Sequence, residues 1–491
     1  MTVPTRKAKA TAPGTGAPPA NEETWDQIKW DHVTEEDTRL QMRIAKATKA
    51  GRWNKVQALQ RLLTRSRSGK LLAVKRVTEN KGKRTAGVDG RIWATPMSKL
   101  KAVQSLTHRG YQPRPLRRVY LPKAGGRFRP LGIPVMRDRS MQALWHLALS
   151  PVAETTADPN SYGFRPKRST ADAIEQCFKV LAKRDSAQWT LEGDIRGCFD
   201  NISHSWLLSN IPMDKGILRK WLKAGFVDKG VLFPTEAGTP QGGIASPVLA
   251  NLALDGLEEA VRLALGPNEF ARKSAKAHVV RYADDFIVTG ANRELLEQRV
   301  KPAVEAFLAK RGLQLAPEKT LITHIAQGFD FLGQNVRKYG NKLLIKPARK
   351  SVQALTKKVK EVLGKNMAAT QARVISLLNP ILRGWAMYHR HVVSAATFSR
   401  VDFLVWTKLW AWAKRRHPRK NAGWIMKRYF HRRGSRSWIF ACASNDAQQD
   451  FHFVLLRAAD VAIKRHTKVR GNANPFDPAW SDYFESRSYA R

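Results

Sequence analysis

The sequence predicts an α+β fold divided into roughly two to four domains. Three observations lead there. The chain has 491 residues, too many for one hydrophobic core. Its middle alternates helical periodicity with short β-forming runs, and acidic residues sit at the ends of those runs. From residue 341 onward helical periodicity and basic residues take over. Hydrophobic residues make up 43% of the chain, enough to build cores and to exclude global disorder.

Residues 1–23 mix Lys and Arg with Pro, Gly, Thr and Ala. With no apolar h-region they predict a basic, disordered tail rather than a secretory signal. Residues 24–76 predict helices, with Leu40, Ile44, Val56, Leu59, Leu62 and Leu63 as apolar positions among many charges. NKGKRTAGVDG at 80–90 is a basic loop, and a helix is expected over about 97–108. RRVYLPKAGGRFRPLGIP at 117–134 predicts strand, Gly-Gly turn, strand, then a helix near 137–150. QWTLEGD at 188–194 predicts a strand. His278 to Thr289 predicts two short strands around Ala283-Asp284-Asp285, with a helix over about 292–312. Helices are expected at 350–364, 370–390 and 396–416.

The formal charge is +46, from 86 Lys and Arg against 40 Asp and Glu. Such a chain repels itself unless a polyanion neutralises it. Residues 341–491 alone carry 30 Lys and Arg against 8 Asp and Glu, a net +22, with seven of the 15 tryptophans. Cations interleaved with aromatics suit phosphate contact and base stacking, so nucleic acid is the expected partner. A solubilising halo of lysines or an anionic membrane surface explains the tryptophans less well. Cys177, Cys198 and Cys442 form no Cys-x-x-Cys pair. A disulfide framework and a zinc ribbon are therefore unsupported, and a reducing compartment fits. No apolar run reaches membrane-spanning length, so no membrane partner is expected.

The chemistry is expected at the acids. Asp194 ends an apolar strand, and Asp284-Asp285 sits between Val279-Val280 and Phe286-Ile287-Val288. An ordinary turn explains a lone Asp-Asp pair. Adjacent acids in a tight turn between apolar strands, with a third acid on a neighbouring strand, suit a site that holds two divalent cations.

Several blocks then carry a resemblance. Tyr282-Ala283-Asp284-Asp285, GTPQGGIASPVLAN at 238–251 and LEGDIRGCFDNISH at 191–204 resemble the signature blocks of reverse transcriptases. SYGFRPKRSTADAI at 161–174, RPLGIP at 129–134, GFDFLG at 328–333 and LNPILRGWAMYHR at 378–390 resemble the group II intron branch. The resemblance runs from about Trp25 to Arg487. It implies a right-hand polymerase fold: an amino-terminal extension (24–104), fingers and palm with an antiparallel sheet (105–340), an α-helical thumb or maturase domain (341–435), and a basic DNA-binding region (436–491). KRRHPRKNAGW at 414–424 and IKRHTKVRGNANPFD at 463–477 carry the last assignment. With no Cys-x-x-Cys before Arg491, the His-Asn-His endonuclease of many relatives is not expected.

By position in these blocks, Asp194, Asp284 and Asp285 match the metal-binding triad, for two Mg²⁺ ions with Mn²⁺ as a substitute. Lys123 and Arg129 match the fingers residues that hold the triphosphate, and Phe199 the steric gate against a ribose 2′-hydroxyl. Gln241 matches the nucleotide-contacting block, and Lys319 the lysine that protonates the leaving pyrophosphate. Tyr282, Gly242, Lys83 and Arg84 match template, primer or RNA contacts. The 80–90 loop matches a lid over the template, against the plainer reading of a linker. Expected partners are group II intron RNA, an RNA template with a DNA primer, and a DNA target, in the bacterial cytoplasm or nucleoid. RNA binding is expected from basic residues of 24–104 and 341–435, with stacking by Trp385 or Tyr388. The alternatives are a binding-only maturase, and a related enzyme recruited to DNA repair or phage defence.

Overall fold

The computed structural model describes residues 24–122, 126, 128–239, 242–443 and 451–489. The predicted tail and the positions of Lys123 and Gln241 lie outside them. Three helices, Trp30–Lys49, Trp53–Arg65 and Arg67–Glu79, open the described chain. Ile44, Val56, Leu59 and Leu63 are buried as their spacing requires, and Leu40 packs against the same core. Leu62 differs: it is 51% exposed, because one residue before Leu63 on a helix is a turn of about 100° off the buried face. These helices pack on the helix Met136–Thr156, which is longer than expected. Arg139 on that helix pins the 80–90 loop, donating from Nη1 to the Gly82 carbonyl at 3.1 Å and from Nη2 to the Thr85 carbonyl.

The predicted hairpin forms. Leu116–Pro122 and Phe128–Ile133 pair antiparallel, and a second hairpin, Phe226–Asp228 with Val231–Phe233, extends the sheet through Leu116. The central sheet is wholly antiparallel, in the order Val279–Tyr282, Asp285–Gly290, Trp189–Asp194, Leu321–His324. Strand alternation divides its side chains between two cores. Leu191, Val279, Phe286 and Val288 join the large core with the amino-terminal helices. Val280 and Ile287 join a second core with the helix Thr170–Leu181 and the sheet Phe329–Phe331, Gln334–Tyr339, Lys342–Pro347.

Beyond it lie the three expected helices, Arg349–Lys365, Gln371–His389 and Ala395–Arg416, around a third core. The sequence suggested helices alone for this region. The chain instead continues through a short helix, Ala422–Tyr429, into an antiparallel sheet, Phe430–Arg433, Arg436–Ala443, Phe451–Val454. The expected domain boundaries at 340/341 and 435/436 both fall between paired strands of these sheets.

The last described segment returns to the palm. Asp172 accepts hydrogen bonds from the Val469 amide at 2.8 Å and from Arg487 Nη2 at 2.7 Å, with His466 Nε2 at 2.8 Å. Arg168 donates to the carbonyls of Gly471 and Ala473, and Lys49 pairs with Asp477 at 3.2 Å. Part of the stretch expected to grip DNA is thus spent holding the chain together. Among the described residues no helix is long and apolar enough to cross a membrane.

Candidate active site

Pairing register brings the acids together. Asp194 lies directly opposite Asp285 on antiparallel strands, so both side chains leave the same face of the sheet. Tyr282 pairs with Asp285, leaving Ala283-Asp284 as a two-residue loop. Ala283 takes φ 58°, a left-handed conformation that alanine adopts at a cost. Two glycines let neighbours close on this turn. A Cβ on Gly193 would lie 2.2 Å from the Phe286 ring, and one on Gly163 would lie 2.3 Å from the Ala283 nitrogen.

The three carboxylates feel one another. Burial and then Asp194 hold the Asp284 carboxyl above its ordinary range, opposed by Arg129 and Lys319. Burial, Asp284 and Asp194 push Asp285 to about 6, although its side chain opens to the cleft. Lys319 Nζ donates to Asp194 Oδ2, which raises the lysine and keeps it protonated. Carboxylate oxygens of this kind suit a hard, oxygen-preferring divalent cation. Among the described residues, no three His, Cys, Asp or Glu side chains are already gathered to hold a metal. Asp194 faces Lys319 instead.

Of the expected nucleotide residues, Arg129 and Phe199 are among those described. Arg129, exposed on the fingers hairpin opposite Leu121, is close enough for its charge to act on Asp284. Phe199 is the second residue of the helical turn Cys198–Asn201 that follows Gly197, and its ring meets Phe164 edge to face at 6.2 Å. The loop that leads to Gly242 hangs on the same segment: Thr239 donates to the Phe199 carbonyl at 2.6 Å and Gly238 to that of Ile202 at 2.8 Å. Gly242 has φ 110°, and a Cβ there would lie 3.0 Å from the Gly132 carbonyl of the fingers hairpin. Tyr282 is half-buried beside Asp285. Lys83 and Arg84 are exposed on the loop that Arg139 anchors, away from the carboxylates in sequence and on a different element.

Sequence reasoning missed the support behind the turn. Arg281 is 1% exposed and ion-pairs with Asp255. It also donates to Asn251 Oδ1 and to the Ala283 carbonyl, both at 3.4 Å. Asn251 Nδ2 donates to the Gly163 carbonyl at 2.8 Å. Glu154, its side chain 1% exposed, accepts from Arg165 at 2.7 Å and faces Arg168 at 2.8 Å, fixing the Ser161–Arg168 loop. The signal was present: an arginine in a strand buried on both faces needs an acid. A cavity of about 460 Å³ bounded by Glu154, Phe164, Arg165, Asn251 and Asp255 lies on this rear side. Trp385, half-buried, donates to Ser351 Oγ at 3.0 Å and packs on Phe398.

Comparisons with known proteins agree with this geometry. A family described as reverse transcriptase (RNA-dependent DNA polymerase) matches residues 121–336. The N-terminal domain of reverse transcriptase matches 25–106, and the group II intron maturase-specific domain matches 352–430. Protein YkfC of Escherichia coli is 33% identical over 324 residues, 57% of this chain and 83% of that protein. The group II intron-encoded protein LtrA of Lactococcus lactis is 32% identical over 328 residues, and this chain spans about half of it, 54%. A telomerase from Candida albicans, solved with a fragment of telomeric RNA, aligns at TM-score 0.38 and 13% identity over 65% of this chain and 61% of its own, a distant likeness on which nothing rests. The chain belongs to the reverse transcriptase family, in the group II intron branch that carries a maturase domain.

Proposed function

We propose that this chain is an RNA-directed DNA polymerase of the two-metal-ion type, and that it also binds group II intron RNA to assist its splicing and mobility. The observation that carries the polymerase reading is the register that sets Asp194 against Asp285 with Asp284 in the adjoining turn. Two Mg²⁺ ions, or Mn²⁺ in their place, would supply activation of a primer 3′-hydroxyl and charge for the leaving pyrophosphate. Asp194, Asp284 and Asp285 would hold them, with Asp194 turning away from Lys319 to do so. Lys123 and Arg129 would bind the triphosphate. The Phe199 ring would bar a 2′-hydroxyl, and Gln241, Gly242 and Tyr282 would line the base-paired end. Lys319, released from Asp194, would donate its Nζ proton to pyrophosphate. Lys83 and Arg84 would meet template or intron RNA.

The maturase reading rests on the matched maturase domain and on the net +22 of residues 341–491. Because the acids would carry little RNA-binding energy, the two activities are expected to separate. Asp284→Asn should abolish primer extension while intron RNA binding and protein-assisted splicing at low Mg²⁺ persist. Primer extension by this variant at the normal rate would end the metal assignment.

A further inference from the structure

The Ala395–Arg416 helix buries Val401, Val405, Leu409 and Trp412 against the thumb core. A different face carries Phe403, Trp406 and Trp410, three and four residues apart, so their rings form one stripe. The rings are nearly parallel: Phe403 to Trp406 is 6.4 Å at 21°, and Trp406 to Trp410 is 5.8 Å at 17°. Trp438 stands edge-on to both tryptophans at 5.8 Å. It reaches them from a strand, with φ 64°. The stripe is open at its two ends. Phe403 is 64% exposed and Trp438 43% exposed, while Trp406 and Trp410 are half-buried against Phe430, and the Trp406 indole N–H is buried with no hydrogen-bond partner among the described residues. Folding alone does not favour exposed rings, a left-handed tryptophan and an unpaired donor in one place.

The surrounding charge identifies what would cover it. Residues 395–438 contain 12 Lys and Arg and one acid, Asp402. Asp402 is already taken, accepting from the Ala458 and Ala459 amides at 2.7 and 3.0 Å. A partner for this face must be anionic and must offer flat rings. A second copy of this equally basic chain offers rings but fails the demand for negative charge.

We propose that Phe403, Trp406, Trp410 and Trp438 form a stacking platform for unpaired bases of single-stranded RNA, with the neighbouring cations holding its phosphates. This rests on the RNA-binding reading above and adds a site to it. Base stacking on aromatic side chains is sequence-tolerant, so the platform reads an unpaired segment rather than a sequence.

The test uses the full chain and three labelled strands of equal length: a mixed-sequence RNA, its abasic counterpart and the matching DNA. Phe403→Ala/Trp438→Ala should weaken binding to the base-bearing RNA about tenfold. Affinity for the abasic strand and the salt slope should not change. Phe403→Tyr/Trp438→Phe should restore binding. If the double variant misfolds by melting temperature, Phe403→Ala alone carries the test. Equal losses on the base-bearing and abasic strands, or no loss on either, would overturn the platform. A larger loss on DNA would overturn the RNA assignment, and a changed sedimentation coefficient would make the face an interface between copies. Primer extension on a simple template reports separately on the polymerase, so failure of one reading is distinguishable from failure of the other.

Discussion

Phe199 and Phe164 form a small unit at the mouth of the site. Phe164 has φ 58° and is 55% exposed, and its edge contact with Phe199 is the visible return for holding an aromatic in that conformation. If the Phe199 ring excludes a 2′-hydroxyl, Phe164 limits how far the ring can swing. Phe199→Ala should therefore cost about 10²-fold in discrimination against ribonucleotides, the scale on which an apolar wall rejects an added hydroxyl. Phe164→Ala should cost several-fold, since it acts only through its neighbour. Single-nucleotide incorporation with paired ribo- and deoxynucleotides measures both. Loss in Phe199→Ala alone would remove the role from Phe164. No loss in either would leave Phe199 as a core aromatic.

At the scale of elements, the catalytic hairpin depends on what lies beneath it. Burial pushes the Asp255 carboxyl up to about 6 even with Arg281 beside it pulling the other way. Arg281→Met would leave that acid buried without its cation, a change that typically costs about 3–5 kcal/mol. Chemical denaturation should show the loss, and Arg281→Met/Asp255→Leu should recover most of it. A single variant as stable as the parent would mean that the turn stands without this pair. The hairpin itself was legible in the sequence, because two acids flanked by apolar β-formers leave few other structures. Arg281 was not, because membership of a doubly buried strand emerges only when Ser161 bridges to it from the other side. The sheet at 430–454 was also hidden. HRRGSR at 431–436 breaks the alternation with cations, and the third strand, Phe451–Val454, pairs with Arg436–Ala443 from further along the chain. The long helices and the Ala283-centred turn needed only local pattern. The sheet and the returning segment needed contacts between residues far apart in sequence.

Across the whole molecule, ties of this distant kind hold the parts together, and several are titratable. His389 is 1% exposed and joins the thumb to the palm-side sheet. Its ring nitrogens meet Ser351 Oγ at 2.9 Å and Gln334 Oε1 at 3.0 Å. Burial, with the His391 charge adding to it, lowers His389 from 6.5 to about 4. A histidine kept neutral in the fold binds fewer protons than the unfolded chain between those two values. Its contribution is therefore complete above pH 6.5 and is lost as pH falls toward 4, on the order of 3 kcal/mol for a shift of this size. Asp37 and Asp255, pushed up by burial to about 7 and 6, oppose it over the same window, because raised carboxyls favour the fold as pH falls. Asp172 enters later. Burial would raise it, but His466, the Val469 amide and Ser169 together hold it at about 2, so its stabilisation is lost only below its ordinary 3.8. The informative quantity is thus the difference between the parent and His389→Gln, which retains hydrogen-bonding capacity without titrating. Denaturation at pH 7, 5.5 and 4.5 should show the parent losing stability relative to the variant at each step down. Parallel curves would mean that His389 is not the acid-sensitive tie between thumb and palm.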